Sequence, residues 1–331
     1  MIKKTVHRTL WQLERGIDRI RGQRNPNRVI DPYLGYADGD AVIVRGRVLA
    51  ALRRNAPTEG QSRWQNLRQI FNLFFTDEVA AVEVEAVGVR GMSDEEGYFT
   101  LRVPLQPQPG WVEVPVRITG GEDHTVCPAL IPDPQASFGV LSDIDDTVLQ
   151  TGAYSLARNL WTSFTGNALT RKIFPDAVTF MQALSANGRN PIYFISSSPW
   201  NLHSFLRAIF DRAGLVKGPM FLRDLGLGEQ QFISGTHGDH KGRAIDTMMQ
   251  ANPTLRYVLV GDTGQHDAFV YRDAVARHPG RVAAVVLREP KPGADAKSLA
   301  AIKTVEAAGV PVFHRPDFTG LADTLTKGPL A

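Results

Sequence analysis

The stretch FGVLSDIDDTV, residues 138–148, runs from a short apolar segment straight into three aspartates within four positions. A run this short, closed by polar residues, predicts a buried strand rather than a helix. Four similar runs follow it: PIYFIS (191–196), LRYVLV (255–260), VAAVVL (282–287) and VPVFH (310–314). Between them lie AVTFMQALSANG (177–188), NLHSFLRAIFDRAG (201–214) and SLAAIKTVEAAG (298–309), which read as helices. Short apolar strands with helical spacers predict βαβ units, hence an α/β fold with a parallel sheet covered by helices on both faces. Ligands in such sheets bind beyond the carboxyl ends of the strands. The polar residues that close these runs are therefore where chemistry is expected.

Upstream the pattern changes. DAVIVRGRVLA (40–50), VAAVEVEAVGV (79–89), GYFTLRVPL (97–105) and GWVEVPVRI (110–118) are rich in β-branched and aromatic residues with partial alternation, and predict strands. SRWQNLRQIFNLFF (62–75) interrupts them with a helical face of Trp64, Leu67, Ile70, Phe71 and Phe74. Residues 93–99 supply a polar turn with Gly97 before an aromatic strand start. This region resembles the prealbumin-like β-sandwich modules appended to many enzymes. It carries no cluster of acids, bases or ligands, which implies a scaffolding role. CPALIPDPQAS (127–137), with Pro128, Pro132 and Pro134, reads as an extended linker between the two halves. The division expected is a basic helix and linker over 1–30, a β-rich module with a helical insertion over 31–134, and the α/β domain over 135–331.

The chain has 331 residues, 43% of them hydrophobic and 21% charged, enough for two ordinary globular cores. Its formal charge is +3, but residues 1–28 hold eight Lys and Arg against only Glu14 and Asp18. Within that arm Val6, Leu10, Leu13, Ile17 and Ile20 fall at helical spacing, so residues 3–24 predict a basic amphipathic helix. It either docks on its own protein or lies on an anionic membrane surface. No nucleic-acid motif accompanies it, and no nucleic-acid partner is expected. Cys127 is the only cysteine, which excludes an internal disulfide and a cysteine-ligated metal. With no apolar stretch long enough to span a bilayer and no h-region, the expectation is a cytoplasmic protein, peripheral on the membrane at most.

The strand ends carry the chemistry. Asp143 and Asp145, one residue apart after the first apolar run, can both face one crevice. Such a pair suits phosphoryl transfer: one carboxylate attacks phosphorus and the other protonates the leaving oxygen. Two anions facing a phosphate need a hard divalent cation held by oxygens. Alone, the same aspartates read equally well as a turn or a helix cap. Ser196 closes the second run and suits a phosphate contact, while Ser197 and Ser198 fit either that role or a helix cap. Lys241 precedes the third run and would offset the gathered negative charge. Asp262 and Asp267 bracket a loop with Gly261 and Gly264 after that run, a fit for a cation site.

Taken in order, Asp-x-Asp-x-Thr, a strand-end Ser, a Lys and Gly-Asp-(four residues)-Asp resemble the four haloacid-dehalogenase motifs. The wording DIDDTV, SSSPWN, HK and GDTGQHD is similar, more narrowly, to the actin-patch-associated phosphatidate phosphatase family, over residues 135–331. The resemblance implies a haloacid-dehalogenase-like sheet, with Asp143 as nucleophile and Asp145 as general acid and base. It also implies that Thr147 holds the first loop, Ser196 binds phosphate and Lys241 steadies both. Mg²⁺ would be held by Asp262, Asp267, the Asp143 carboxylate and the Asp145 carbonyl. Asp146 is extra to the general motif, and His266 has no identifiable partner.

The implied substrate is a phosphomonoester, phosphatidate or a related lipid phosphate first among them. Trp200 beside the presumed site supports a lipid, or else packs in the core. Forty-eight residues separate Thr147 from Ser196, room for a short flap but not a large cap, which suits a bulky or surface-bound substrate. A soluble sugar, nucleotide or nucleic-acid-end phosphatase is the alternative, and a catalytically vestigial interaction protein a third.

Overall fold

A computed structural model of the chain describes residues 28–50, 79–150, 173–223, 237–290 and 293–330. The expected helices at 3–24 and 62–75, and most of the short flap, lie outside these residues. The described strands form two sheets.

The first sheet holds β1 (Val29–Asp38), β2 (Ala41–Leu49), β3 (Glu83–Ala86), β4 (Val89–Met92), β5 (Tyr98–Val103), β6 (Gly110–Ile118) and β7 (His124–Ile131). Their spatial order is β4-β3-β6-β7-β1-β2-β5. Only the β1–β7 pair is parallel. Where two stacked sheets were expected, the strands hydrogen-bond into one continuous sheet. It curls: Gly91 on edge strand β4 faces Leu101 on edge strand β5, so closely that a Cβ on Gly91 would come within 2.6 Å of the leucine. Val42, Val44, Val84, Leu101, Val114, Val116 and Cys127 fill its interior. The run 79–89 is split into β3 and β4 by a two-residue hairpin, since Val87 and Gly88 both take positive φ (49° and 80°).

The linker expected at 127–137 is partly overturned. Residues up to Ile131 belong to β7, an interior strand that contains Pro128. A proline is tolerated there because pairing to β1 is confined to Ala129 and Leu130, just beyond it.

The second sheet contains β8 (Gly139–Asp143), β9 (Ile192–Pro199), β10 (Met220–Arg223), β11 (Tyr257–Asp262), β12 (Val282–Arg288) and β13 (Val312–Arg315). All of its pairs are parallel, in the order β10-β9-β8-β11-β12-β13. The helices are α1 (Pro175–Ser185), α2 (His203–Ala213), α3 (His237–Ala251), α4 (Asp267–Arg277), α5 (Ala296–Ala307) and α6 (Leu321–Thr326). Alternation along the strands divides two cores. Val140, Phe194, Val258 and Val286 pack with Phe180 and Leu184 of α1, Leu206 of α2 and Leu325 of α6. Leu141, Tyr193, Leu259 and Val285 point the other way, onto Ile245 and Met248 of α3, Ala274 of α4 and Val305 of α5. This second core also takes in Tyr36, Ile43 and Leu130 from the first sheet, so the two sheets share buried surface. Among the described residues no helix is long and apolar enough to cross a membrane.

Chain order reverses between β8 and β11, the first and fourth strands of the parallel sheet. At such a switch point the connections leave toward opposite sides and open a crevice at the carboxyl ends. Asp143 ends β8 and Asp262 ends β11.

Candidate active site

Asp143 of the first motif and Asp262 and Asp267 of the fourth converge on this crevice. Asp143, Asp262 and Asp267 are buried, and one carboxylate oxygen from each lies within 4.8 Å of the others. Asp267 opens α4, immediately after the β11 loop. The approach is possible only because Gly261 lacks a side chain: a Cβ there would meet Asp267 Oδ2 at 2.5 Å and the Tyr271 hydroxyl at 2.7 Å.

Lys241 reaches in from α3. Its ammonium lies 2.6 Å from Asp143 Oδ1 and also hydrogen-bonds Asp267 Oδ1. Burial alone would pull its pKa down, but the two carboxylates reverse that and hold the charge on nitrogen. One ammonium among three carboxylates leaves a formal deficit of two positive charges in a dry pocket. Burial, with the neighbouring acids Asp267, Asp145 and Asp262, pushes the Asp143 carboxyl well up despite Lys241. Burial and Asp267 push Asp262 up to about 8.

This deficit and the donor set fit a hard divalent cation. Asp143 Oδ2 and Asp262 Oδ2 are buried with no hydrogen-bond partner. Asp262 is aimed by its other oxygen, which accepts from the backbone N–H groups of Gly264 (2.7 Å) and Gln265 (2.8 Å). Asp267 is engaged on both oxygens, by Lys241 and by the Asp262 N–H at 3.2 Å, so only its remaining lone pairs are available to a metal. The Asp145 carbonyl accepts from Gln265 Nε2 at 3.1 Å. All the donors are oxygens, as Mg²⁺ or Ca²⁺ prefers.

Asp145 faces the second strand. Its Oδ2 accepts from Ser196 Oγ at 2.7 Å and from Ser198 Oγ at 3.3 Å, and the Ser198 N–H in turn donates to Ser196 Oγ at 2.9 Å. Its Oδ1 is buried without a partner. Burial raises the Asp145 pKa, opposed in part by the Ser196 hydroxyl and by Lys241. Two hydroxyl donors on Oδ2 leave Oδ1 as the oxygen open to a proton.

The structure therefore gives Ser198 a contact rather than a helix cap. β9 continues to Pro199, a short 3-10 turn covers Trp200–Leu202, and neither that turn nor α2 has a side-chain cap. Ser197 is half-buried. Trp200 packs: its ring stacks on Tyr33 of β1 at a centroid distance of 4.9 Å and an interplanar angle of 8°. Thr147 is fully buried, with its hydroxyl unpartnered. Asp146 takes a left-handed conformation (φ 58°), and its N–H donates to Leu149 O at 2.8 Å, so it shapes the loop. His266 is exposed, at the residue before α4.

Two residues of this shell carry no sequence signal. Gln265 ties the β11 loop to the first aspartate loop. Arg288, the last residue of β12, is 5% exposed and donates from Nε to the Thr147 carbonyl at 3.1 Å and from Nη2 to Asp176 Oδ2 at 2.7 Å. Phe174 and Phe318 cover its two sides, with centroids 4.1 and 4.2 Å away. Asp176 Oδ2 also accepts from the Phe318 N–H at 2.8 Å. Only the β-strand ending at Leu287 was legible there.

Residues 138–289 match the family model described as "Phosphatidate phosphatase APP1, catalytic domain". Phosphatidate phosphatase APP1 of Saccharomyces cerevisiae is 23% identical over 151 residues, 46% of this chain and 26% of that protein. An uncharacterized protein of Schizosaccharomyces pombe is 26% identical over 154 residues, 46% of this chain and 25% of its own length. The matched region thus spans about a quarter of each curated relative. Among solved structures, XAC1771, a carbohydrate acetylesterase from Xanthomonas citri, shares 14% identity over 85% of this chain and 74% of its own. Its TM-score of 0.28 is too low to bear on fold or function.

Proposed function

We propose that this chain, whose residues 138–289 match the phosphatidate phosphatase catalytic-domain model, hydrolyses phosphomonoesters with Mg²⁺ through an aspartyl phosphate on Asp143. Phosphatidate or a related lipid phosphate is the substrate we infer, because the matching family carries that activity in its name. We read residues 135–331 as a haloacid-dehalogenase-like catalytic domain and residues 31–134 as its β-rich partner. The observation that carries the reading is the division of labour between two buried aspartates one residue apart. Asp143 faces an ammonium and two acids, and Asp145 faces two hydroxyls.

In the first step a carboxylate oxygen of Asp143 attacks phosphorus as the P–O bond to the alcohol breaks in line. Asp145 gives its Oδ1 proton to the departing oxygen, so the alcohol leaves neutral. Ser196 and Ser198 keep Asp145 Oδ2 turned away from that transfer. In the second step water attacks the aspartyl phosphate, Asp145 takes its proton back, and inorganic phosphate leaves a free Asp143 carboxylate. Lys241 balances charge on Asp143 throughout. Mg²⁺, held by Asp143 and Asp262 with Asp267 beside them, would supply the positive charge that lets a phosphate dianion approach these acids.

The test is phosphate release with Mg²⁺ across lipid, sugar and nucleotide monoesters. Phosphatidate in vesicles is expected to be hydrolysed fastest. Faster turnover of a soluble ester would move the substrate to that class, and silence on every ester would remove the phosphatase assignment.

A further inference from the structure

Arg45 lies on β2 of the first sheet and is 8% exposed, yet among the described residues no carboxylate pairs with it. Its Nη2 donates to Leu34 O at 2.6 Å and to Met220 O at 3.2 Å, across the two sheets. Its guanidinium carbon sits 5.1, 5.3 and 4.9 Å from the ring centroids of Tyr36, Trp200 and Phe221, and its Nε is buried without a partner. Beside it, His203 is 2% exposed with both ring nitrogens unpartnered and its ring 4.2 Å from Tyr33. Burial, then Arg45 and Arg207, pulls that imidazole down to about 3, so it stays neutral and adds no second cation beside Arg45.

A buried guanidinium without a counter-ion is costly, and an apolar residue of similar volume would join the two sheets at less expense. What distinguishes Arg45 is what it holds. Met220 and Phe221 lie on β10, paired with Phe194 and Ile195 of β9. Trp200 follows Ser198 by two residues and Ser196 by four, and Tyr33 of the first sheet covers its ring. Arg45 and Tyr33 therefore grip both β10, the strand beside the serines of β9, and Trp200, which follows them. Those serines aim Asp145.

We propose that Arg45, with Tyr33, is a positioning residue for the phosphate site, and that the first sheet is thereby a working part of the active site rather than an appended module. This rests on the phosphatase reading of Asp143 and Asp145. The full chain is compared with Arg45→Met, Arg45→Lys and a control, Leu130→Ala, which disturbs the same shared core from β7. The readouts are kcat, KM and the inhibition constant of inorganic phosphate with Mg²⁺, alongside the urea midpoint.

Displacing the loop by a fraction of an ångström to an ångström is expected to lower kcat about 10- to 100-fold in Arg45→Met. Phosphate inhibition should weaken with it, and Arg45→Lys should recover part of both. Leu130→Ala should lower the midpoint while kcat and phosphate inhibition stay at wild-type values. If Arg45→Met does not fold, Tyr33→Leu is expected to show the same paired losses. A folded Arg45→Met or Tyr33→Leu with wild-type kcat and phosphate inhibition overturns the inference, as does an equal kcat loss in Leu130→Ala. A wild type that releases no phosphate overturns the phosphatase reading and this inference together.

Discussion

Replacing Asp143 by Asn separates catalysis from folding, because the charges around it nearly cancel. At an effective dielectric constant of about 20, the attraction of Asp143 to Lys241 across 2.6 Å is worth about 6 kcal/mol. Its repulsions from Asp262 and Asp267, with oxygens within 4.8 Å, together come to at least about 7 kcal/mol. Neutralising Asp143 gives up the first and relieves the second. Burial opposes the charge as well, so without metal Asp143→Asn is expected to resist urea at least as well as wild type. Turnover should fall at least about 10³-fold, a barrier increase of roughly 4 kcal/mol, since an amide is a poor nucleophile at phosphorus. The third arm is Mg²⁺ itself. At a hundred times its dissociation constant the ion should stabilise wild type by about 2.7 kcal/mol. The variant, lacking one carboxylate of the Asp143, Asp262 and Asp267 cluster, should gain much less. Phosphate release and urea titrations, each with EDTA and with Mg²⁺, read all three. Turnover within tenfold of wild type would refute the nucleophile. A metal-free loss of several kcal/mol would instead make Asp143 a structural counter-ion of Lys241.

Other expectations follow from the same geometry. Asp143, Asp145 and Asp262 have folded pKa values above that of a free Asp, so the folded state binds more protons than the unfolded one above about pH 4. Metal-free stability should therefore decline as pH rises from about 4 to about 8, the value for Asp262, and urea midpoints with saturating Mg²⁺ should decline less. A flat profile in EDTA would contradict the buried acid cluster. Ser196→Ala removes the shorter hydrogen bond to Asp145 and should lower kcat about 10-fold or more, with Ser198→Ala, at 3.3 Å, losing less. The reverse order would mean that Ser198 does the aiming. Arg288→Met leaves half-buried Asp176 with only the Phe318 N–H as its donor and should cost about 1–3 kcal/mol, read by denaturation. Pairing it with Asp176→Leu should restore much of that stability but not kcat, because the Thr147 carbonyl still lacks its donor. Recovery of kcat in the double variant would limit Arg288 to a structural role.

The parallel sheet was legible because each strand is a closed apolar run. FGVLS, PIYFIS, LRYVLV, VAAVVL and VPVFH correspond to β8, β9, β11, β12 and β13. β10 escaped notice because Met220–Arg223 is only four residues long, with three apolar residues in its run. In the first half β1 and β7 were missed for opposite reasons. β1 mixes Asp31, Pro32 and Gly35 with its aromatics, and β7 carries a proline in an interior strand. The residues of the candidate site were found because strand ends concentrate them, and their order along the chain was informative. Gln265, Arg288 and Arg45 were not, because a side chain that works by reaching another element leaves no local spacing. The cap reading of Ser198 failed for a related reason: only the fold brings Asp145 close enough to claim its hydroxyl.

The single cysteine has a practical consequence. Cys127 sits inside the first sheet at 1% exposure, and burial, reinforced by Asp31, pushes its thiol up to about 12. In the folded chain it is both shielded and protonated, so a thiol reagent reacts only after that sheet opens. Labelling kinetics thus time the opening of one half of the molecule, with no engineered probe. Amide hydrogen exchange in β8 and β11 reports the other half. If the two quicken together as denaturant rises, the halves open as one cooperative unit; if labelling leads, the first sheet breathes on its own while the acids stay assembled.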